Sequence, residues 1–207
     1  MKKLIIVSLL SLGTLSAFAQ QKGSFELGLN VGYNGATVTS GANTNSSYRS
    51  GINVGVIGDY FFSDRWSIKT KLTYDQKGWA KGFIQNLNTG ESFPTDYKID
   101  YLTVPVMANW HFGKKRNWYL HFGPYVGFLM SASETRFNTD LKDGMQKTDF
   151  GLDVGIGVKL PVSKRAKLIL ELDGQSGFLD IISQNQGQII LNSRSSINVG
   201  FVFDLKK

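Results

Sequence analysis

The chain contains no cysteine, which removes disulfides, zinc–thiolate centres and thiol nucleophiles from consideration. It has two histidines, His111 and His121, in 207 residues, little material for a metal cage or an acid–base relay. No glycine-rich loop follows a strand pattern and opens a helix, so a phosphate cradle is not expected. Beyond the N-terminus, no stretch approaches the ~18 consecutive apolar residues that a spanning helix requires. Proline is scarce too, at four residues. Pro105 and Pro124 fall inside strand-like segments, where a missing N–H predicts a bulge or lost ladder bonds.

What the chain has in abundance is alternation. In residues 25–33, 52–62, 66–74, 102–112, 118–130, 150–160, 168–172 and 197–205, every second side chain is mainly apolar and none of those positions is charged. A period of two is the signature of a strand. The opposite parity carries Glu26, Asp59, Lys69, Lys71, Asp75, Asp153, Lys159, Glu171, Asp173 and Asp204, together with glycines such as Gly28, Gly123, Gly155 and Gly157. An uncharged apolar face on all eight strands, backed by a charged one, predicts an all-β fold: an eight-stranded antiparallel up-and-down transmembrane β-barrel. A soluble barrel with its apolar face inward is the rival architecture. Small glycines beside long charged side chains suit a narrow interior better, so the charged face is assigned to the lumen.

The links alternate in length. Short ones occupy 63–65, 113–117 and 161–166, and long ones occupy 35–50, 79–98, 133–148 and 179–193. In an outer-membrane barrel the long loops are extracellular and the tight turns periplasmic, and an even strand number then puts both termini in the periplasm. Lys2 and Lys3, the apolar run 4–10 and Ala17-Phe18-Ala19 read as a signal peptide over residues 1–19, which leaves a barrel domain over 20–207. Following the strands up and down collects Phe25, Phe62, Trp66, Trp110, Phe112, Trp118 and Phe203 at the periplasmic rim. Tyr33, Tyr74, Phe128 and Phe150 gather at the outer rim, with Phe178 close by. Two such girdles are what amphipathic rings form at two interfaces.

The formal charge of +7 invites a nucleic-acid reading. Much of the excess, however, lies in links and at the ends, at Arg65, Lys114, Lys115, Arg116, Lys164, Arg165, Lys206 and Lys207. Solvated turns account for it, and no nucleic-acid partner is expected. With 63–65 as a turn, Asp59 falls opposite Lys69, predicting a cross-strand ion pair in the lumen that Lys71 and Asp75 extend. Asp153, Lys159, Glu171 and Asp173 complete the expected structural network.

The run Asp100-Tyr101-Leu102-Thr103-Val104-Pro105-Val106, a short basic turn, and Phe122-Gly123-Pro124-Tyr125-Val126-Gly127-Phe128-Leu129 resemble the porin-family, PorT-like outer-membrane β-barrels of Bacteroidetes. Gly177-Phe178-Leu179-Asp180-Ile181 is similar to the same pattern. Some relatives in that family are associated with type IX protein secretion, so the resemblance implies an envelope role. The ending departs from many such barrels: Phe203 is followed by Asp204-Leu205-Lys206-Lys207 rather than closing the chain.

Catalysis finds little support. Both histidines lie on the lumen parity beside one periplasmic turn, with Asn109 near them and no third ligand evident, so they are read as part of a polar network. Asp96, Asp100, Asp140, Asp143, Asp149 and Ser133 lie near the opposite rim, out of reach of a Ser-His-Asp arrangement. Asp140-Leu141-Lys142-Asp143-Gly144 lacks the spaced ligands of a calcium loop. No catalytic residue, cofactor or metal is assigned. The expected function is that of a non-enzymatic monomer in outer-membrane lipid, working through its loops or within an envelope assembly. A narrow porin-like channel for ions or small solutes is the alternative, and an enzyme ranks third. Tyr48, Trp79, Phe83, Phe93, Tyr97 and Phe137 are the loop aromatics suited to a protein partner.

Overall fold

In a computed structural model, describing residues 22–40, 46–86 and 89–205, the alternating segments are strands. They are β1 (Phe25–Ser40), β2 (Arg49–Phe61), β3 (Trp66–Gln85), β4 (Ser92–Phe112), β5 (Trp118–Glu134), β6 (Thr148–Pro161), β7 (Ala166–Gly177) and β8 (Ile190–Leu205). Each strand pairs antiparallel with the next and β8 closes on β1, giving a closed eight-stranded barrel. Closure leaves no edge strand and pairs each strand with two neighbours, the requirement for crossing a bilayer with strands. The expected signal peptide and the last two lysines lie outside the described residues.

The period of two assigns the faces. Glu26, Asp59, Lys69, Asp75, Asp153 and Lys159 are buried inside, whereas Leu29, Val54, Leu72, Val106, Leu152, Leu172 and Val199 stand exposed on the outer wall. Outward aromatics form two bands. Phe25, Phe62, Trp66, Trp110, Trp118 and Phe203 lie exposed by the short turns, with partly buried Phe112 among them. Tyr33, Tyr74, Phe128, Phe150 and Phe178 lie exposed toward the long links.

The strands outrun the segments read from sequence at the long-link end. Much of the expected 79–98 loop is a β-hairpin, with Trp79 opposite Tyr97 and Ile84 opposite Phe93 across a bulge between Trp79 and Gly82. Regular alternation stops there, which is why the sequence reads as a loop. Trp79 is buried and stacks on Tyr97 with ring centroids 4.2 Å apart, so these two brace the hairpin instead of facing a partner. Around Pro105 and Pro124 the pairing is interrupted without a change of register, since Pro105 stays opposite Tyr125 and Ala108 opposite Phe122. The lost ladder contacts are the whole effect; no bulge forms at either proline. Thr70 Oγ1 donates to the Pro105 carbonyl at 2.8 Å and occupies one freed acceptor.

Candidate functional site: the ion-paired lumen and its cap

Eight strands bring opposite walls within reach of long side chains, so lysines can choose partners across the lumen as well as along the sheet. Near the short turns, Lys159 pairs with Glu26 and with Asp59 (2.7 Å), while Lys167 pairs with Glu26 and Asp204. At mid-height Lys69 and Lys71 both pair with Glu171, and Lys71 also meets Asp173 at 2.8 Å. Arg194 joins Asp173 (2.8 Å) to Asp75 (3.2 Å). Nearer the long links, Lys77 pairs with Asp149 at 3.1 Å and lies over the rings of Tyr101 and Tyr125.

The register expected for β2 and β3 is present, with Asp59 opposite Lys69. The expected Asp59–Lys69 ion pair is not what forms. Lys69 crosses the lumen to Glu171 on β7, and Asp59 is taken by Lys159 on β6. Asp75 likewise pairs with Arg194 instead of extending a β2–β3 pair. Lys77, Lys167 and Arg194 were missed from sequence, and Asp149 is no solvated loop carboxylate: it is fully buried, holding Lys77, Tyr125 and Asn192. Asparagines fill the rest of this section. Asn53 donates to Asn34 and Asn198, and Asn34 donates to Asp75 at 2.8 Å.

Glycines make this crowding possible. A Cβ on Gly157 would collide with the Tyr119 ring, and one on Gly155 would collide with His121 Nε2. The histidines differ in setting. His111 sits near the short turns against the Phe61 ring, with Ser67 Oγ and Asn109 Nδ2 each 3.1 Å from Nε2. His121 lies deeper, at the level of Asp153 and Asp173, and not at the rim where parity alone suggested a shared cluster.

Above the ions the lumen closes with an apolar cap. Trp79, Ile99, Tyr101, Leu129 and Ala132 from the wall pack with Met145 and Ile181 from two long links. The links are tied together by backbone bonds from Gln146 N–H to the Ile181 carbonyl and from Ser183 N–H to the Gly144 carbonyl, both 2.9 Å. At the end of β5, Glu134 anchors its own link. Burial would raise this carboxyl, but N–H donors from Thr139, Phe137 and Arg136 and the Thr95 hydroxyl outweigh it and hold it at about 2. Asp140 caps the N–H of Lys142, a turn contact.

Residues 18–183 match the family model described as outer membrane protein beta-barrel domain. The chain belongs to that family. Its barrel is similar to the outer membrane protein OprG from Pseudomonas aeruginosa, with a TM-score of 0.58 at 11% identity over 91% of this chain and 99% of that one. It is also similar to Neisserial surface protein A (TM-score 0.49, 16% identity, 86% and 98% covered) and to Ail, the attachment invasion locus protein of Yersinia pestis (0.46, 14%, 88% and 100%). At these identities the OprG likeness shows the fold alone. A search of curated proteins finds no match. Family and fold together make this an outer-membrane β-barrel protein.

Proposed function

We propose that this outer-membrane barrel is a non-enzymatic monomer that acts through its long-link end, as a docking surface or as part of an envelope assembly. The observation that carries the reading is the filled lumen: a buried ion network crosses it and an apolar cap sits above. With the interior occupied, the β3–β4 hairpin and neighbouring links are the surfaces left for recognition. Phe83, Phe137 and Tyr48 are exposed there, Phe93 meets Phe137 edge-on at 5.4 Å, and Arg136 lies over both rings. Exposed aromatics with an arginine are the composition of a protein-binding hot spot. The orientation that serves this role has long links outside the cell and both termini in the periplasm. The resemblance to PorT-like barrels of Bacteroidetes supports a place in a secretion-type assembly.

Replacing 83–94 with a short Gly/Ser linker keeps the Trp79–Tyr97 stack and tests the reading directly. Membrane insertion and heat-dependent gel migration are expected to survive, because loop length costs little thermodynamically. Proteins that co-purify with the intact barrel from outer membranes are expected to be lost. Unchanged co-purification would remove the hairpin from the function. The channel reading has its own test in planar bilayers, where the pure protein is expected to show no stable porin-sized steps; reproducible steps would make solute passage the function instead.

A further inference from the structure

Asp153 is the odd carboxylate of the lumen. Among the described residues, Glu26, Asp59, Asp75, Asp149, Glu171 and Asp173 each hold a lysine or arginine in ion-pair contact. Asp153 holds none, although it is fully buried. Its Oδ2 accepts from Gln175 Nε2 at 2.8 Å, which turns the Gln175 carbonyl away from that bond. Asp153 Oδ1, Gln175 Oε1 and both ring nitrogens of His121 have no hydrogen-bond partner within the protein. Two side-chain oxygens without donors, with an imidazole beside them, around a buried carboxylate that no lysine or arginine reaches call for a cation.

The placement is built, not incidental. His121 on β5 stands opposite Gly155 on β6, and Gly155 stands opposite Asp173 on β7. Asp153 stands opposite Gln175, one inward-facing step along the same two strands. Gly155 leaves the space across which the imidazole reaches, since a Cβ there would strike Nε2. Nε2 then lies 3.5 Å from Asp153 Oδ1 and 3.9 Å from Asp173 Oδ2. Ligands on a tetrahedral ion with bonds near 2.0–2.1 Å are separated by roughly 3.3 Å; Nε2 is near that spacing from both carboxylates, and the three donor atoms all lie within 4.8 Å of one another. The far ring nitrogen, Nδ1, faces Glu171 Oε2 at 3.6 Å, the outer carboxylate that commonly orients a metal-binding histidine.

We propose that His121, Asp153 and Asp173, assisted by the Gln175 carbonyl, form a site for one divalent transition-metal ion of the Zn²⁺ type inside the barrel. One imidazole with oxygen donors suits Zn²⁺ and Co²⁺ better than Mg²⁺. Lys71 does not block the site. When Asp173 Oδ2 turns to the metal, Lys71 retains Glu171, and Arg194 retains Asp173 Oδ1. The ion places positive charge beside a carboxylate that no lysine or arginine reaches and ties β5, β6 and β7 together at mid-height.

The lumen is closed, so the test loads metal during folding. Full-length barrel is refolded from urea into detergent micelles with Zn²⁺, Co²⁺ or Mg²⁺, passed through a chelator-washed column and assayed by metal analysis. About one Zn²⁺ per folded barrel is expected, and Co²⁺ should give visible ligand-field bands, with no retention of Mg²⁺. Asp153→Asn and His121→Asn should each reduce retention at least about tenfold, while His111→Asn leaves it unchanged. Without metal, Asp153→Asn should fold as well as wild type or better, because it removes the unpaired charge; a merely structural carboxylate would instead destabilise when neutralised. If variants fail to fold, the wild-type stoichiometry, Co²⁺ spectrum and Zn²⁺-dependent rise in unfolding midpoint decide the matter. Metal-free wild type after loading, or equal retention by Asp153→Asn, overturns the site.

Discussion

Replacing Glu171 with methionine is expected to destabilise the barrel by about 3–5 kcal/mol, the cost of breaking a buried pair by removing one partner. Glu171 receives Lys69, Lys71 and the Tyr119 hydroxyl in one buried carboxylate. After the change Lys71 still has Asp173, but Lys69 has no other ion-pair partner among the described residues. An ammonium buried at mid-lumen with no carboxylate is the source of the loss. The double variant Lys69→Met/Glu171→Met should therefore recover much of it, because replacing both members of a buried pair with apolar groups is often close to neutral. Urea titration in lipid vesicles, followed by tryptophan fluorescence and gel migration, measures all three proteins. If Glu171→Met costs under about 1 kcal/mol, the network is solvated and the lumen is not the filled interior described above.

The wall was legible in the sequence because each strand residue announces its face by parity alone. Asp59 opposite Lys69 followed from the Ser63-Asp64-Arg65 turn, and the register is as counted. Partner choice was not legible. A lysine spans several ångströms, and Lys69 prefers Glu171, which is far away in sequence and reaches it only because the sheet closes into a narrow tube. Pairing rules describe neighbours on a sheet, and closure adds the opposite wall to the choices. Lys77 and Arg194 carried a usable signal, since extending the inward parity of β3 from Asp75, and of β8 back from Asn198, reaches both. They were missed because the strands were ended too early, where asparagine, serine and glycine resemble loop. The cap had no comparable signal: Met145 and Ile181 lie in links without the period of two, and only the folded links bring them over Ile99 and Tyr101.

The outer face yields the second large effect. Leu172 lies near the middle of β7, 54% exposed, between Ile156 on β6 and Ile197 on β8. Exposure of that size on a leucine flanked by exposed isoleucines is anomalous against water and ordinary against lipid chains. Leu172→Arg is expected to destabilise the barrel in bilayers by about 2–4 kcal/mol, the midplane cost of a cation on a lipid-facing strand. The same change at Phe62, beside a short turn, should cost only about 0–1 kcal/mol, because a long side chain at the interface reaches water. The depth gradient is the diagnostic quantity. Loss of packing alone would penalise phenylalanine and leucine sites with no regard to depth, and a soluble barrel would accept arginine at either exposed position. Folding titrations in vesicles of matched thickness provide the comparison. Equal, small costs at Leu172 and Phe62 would mean that hydrocarbon does not cover this wall, and would separate the apolar outer face from its membrane explanation.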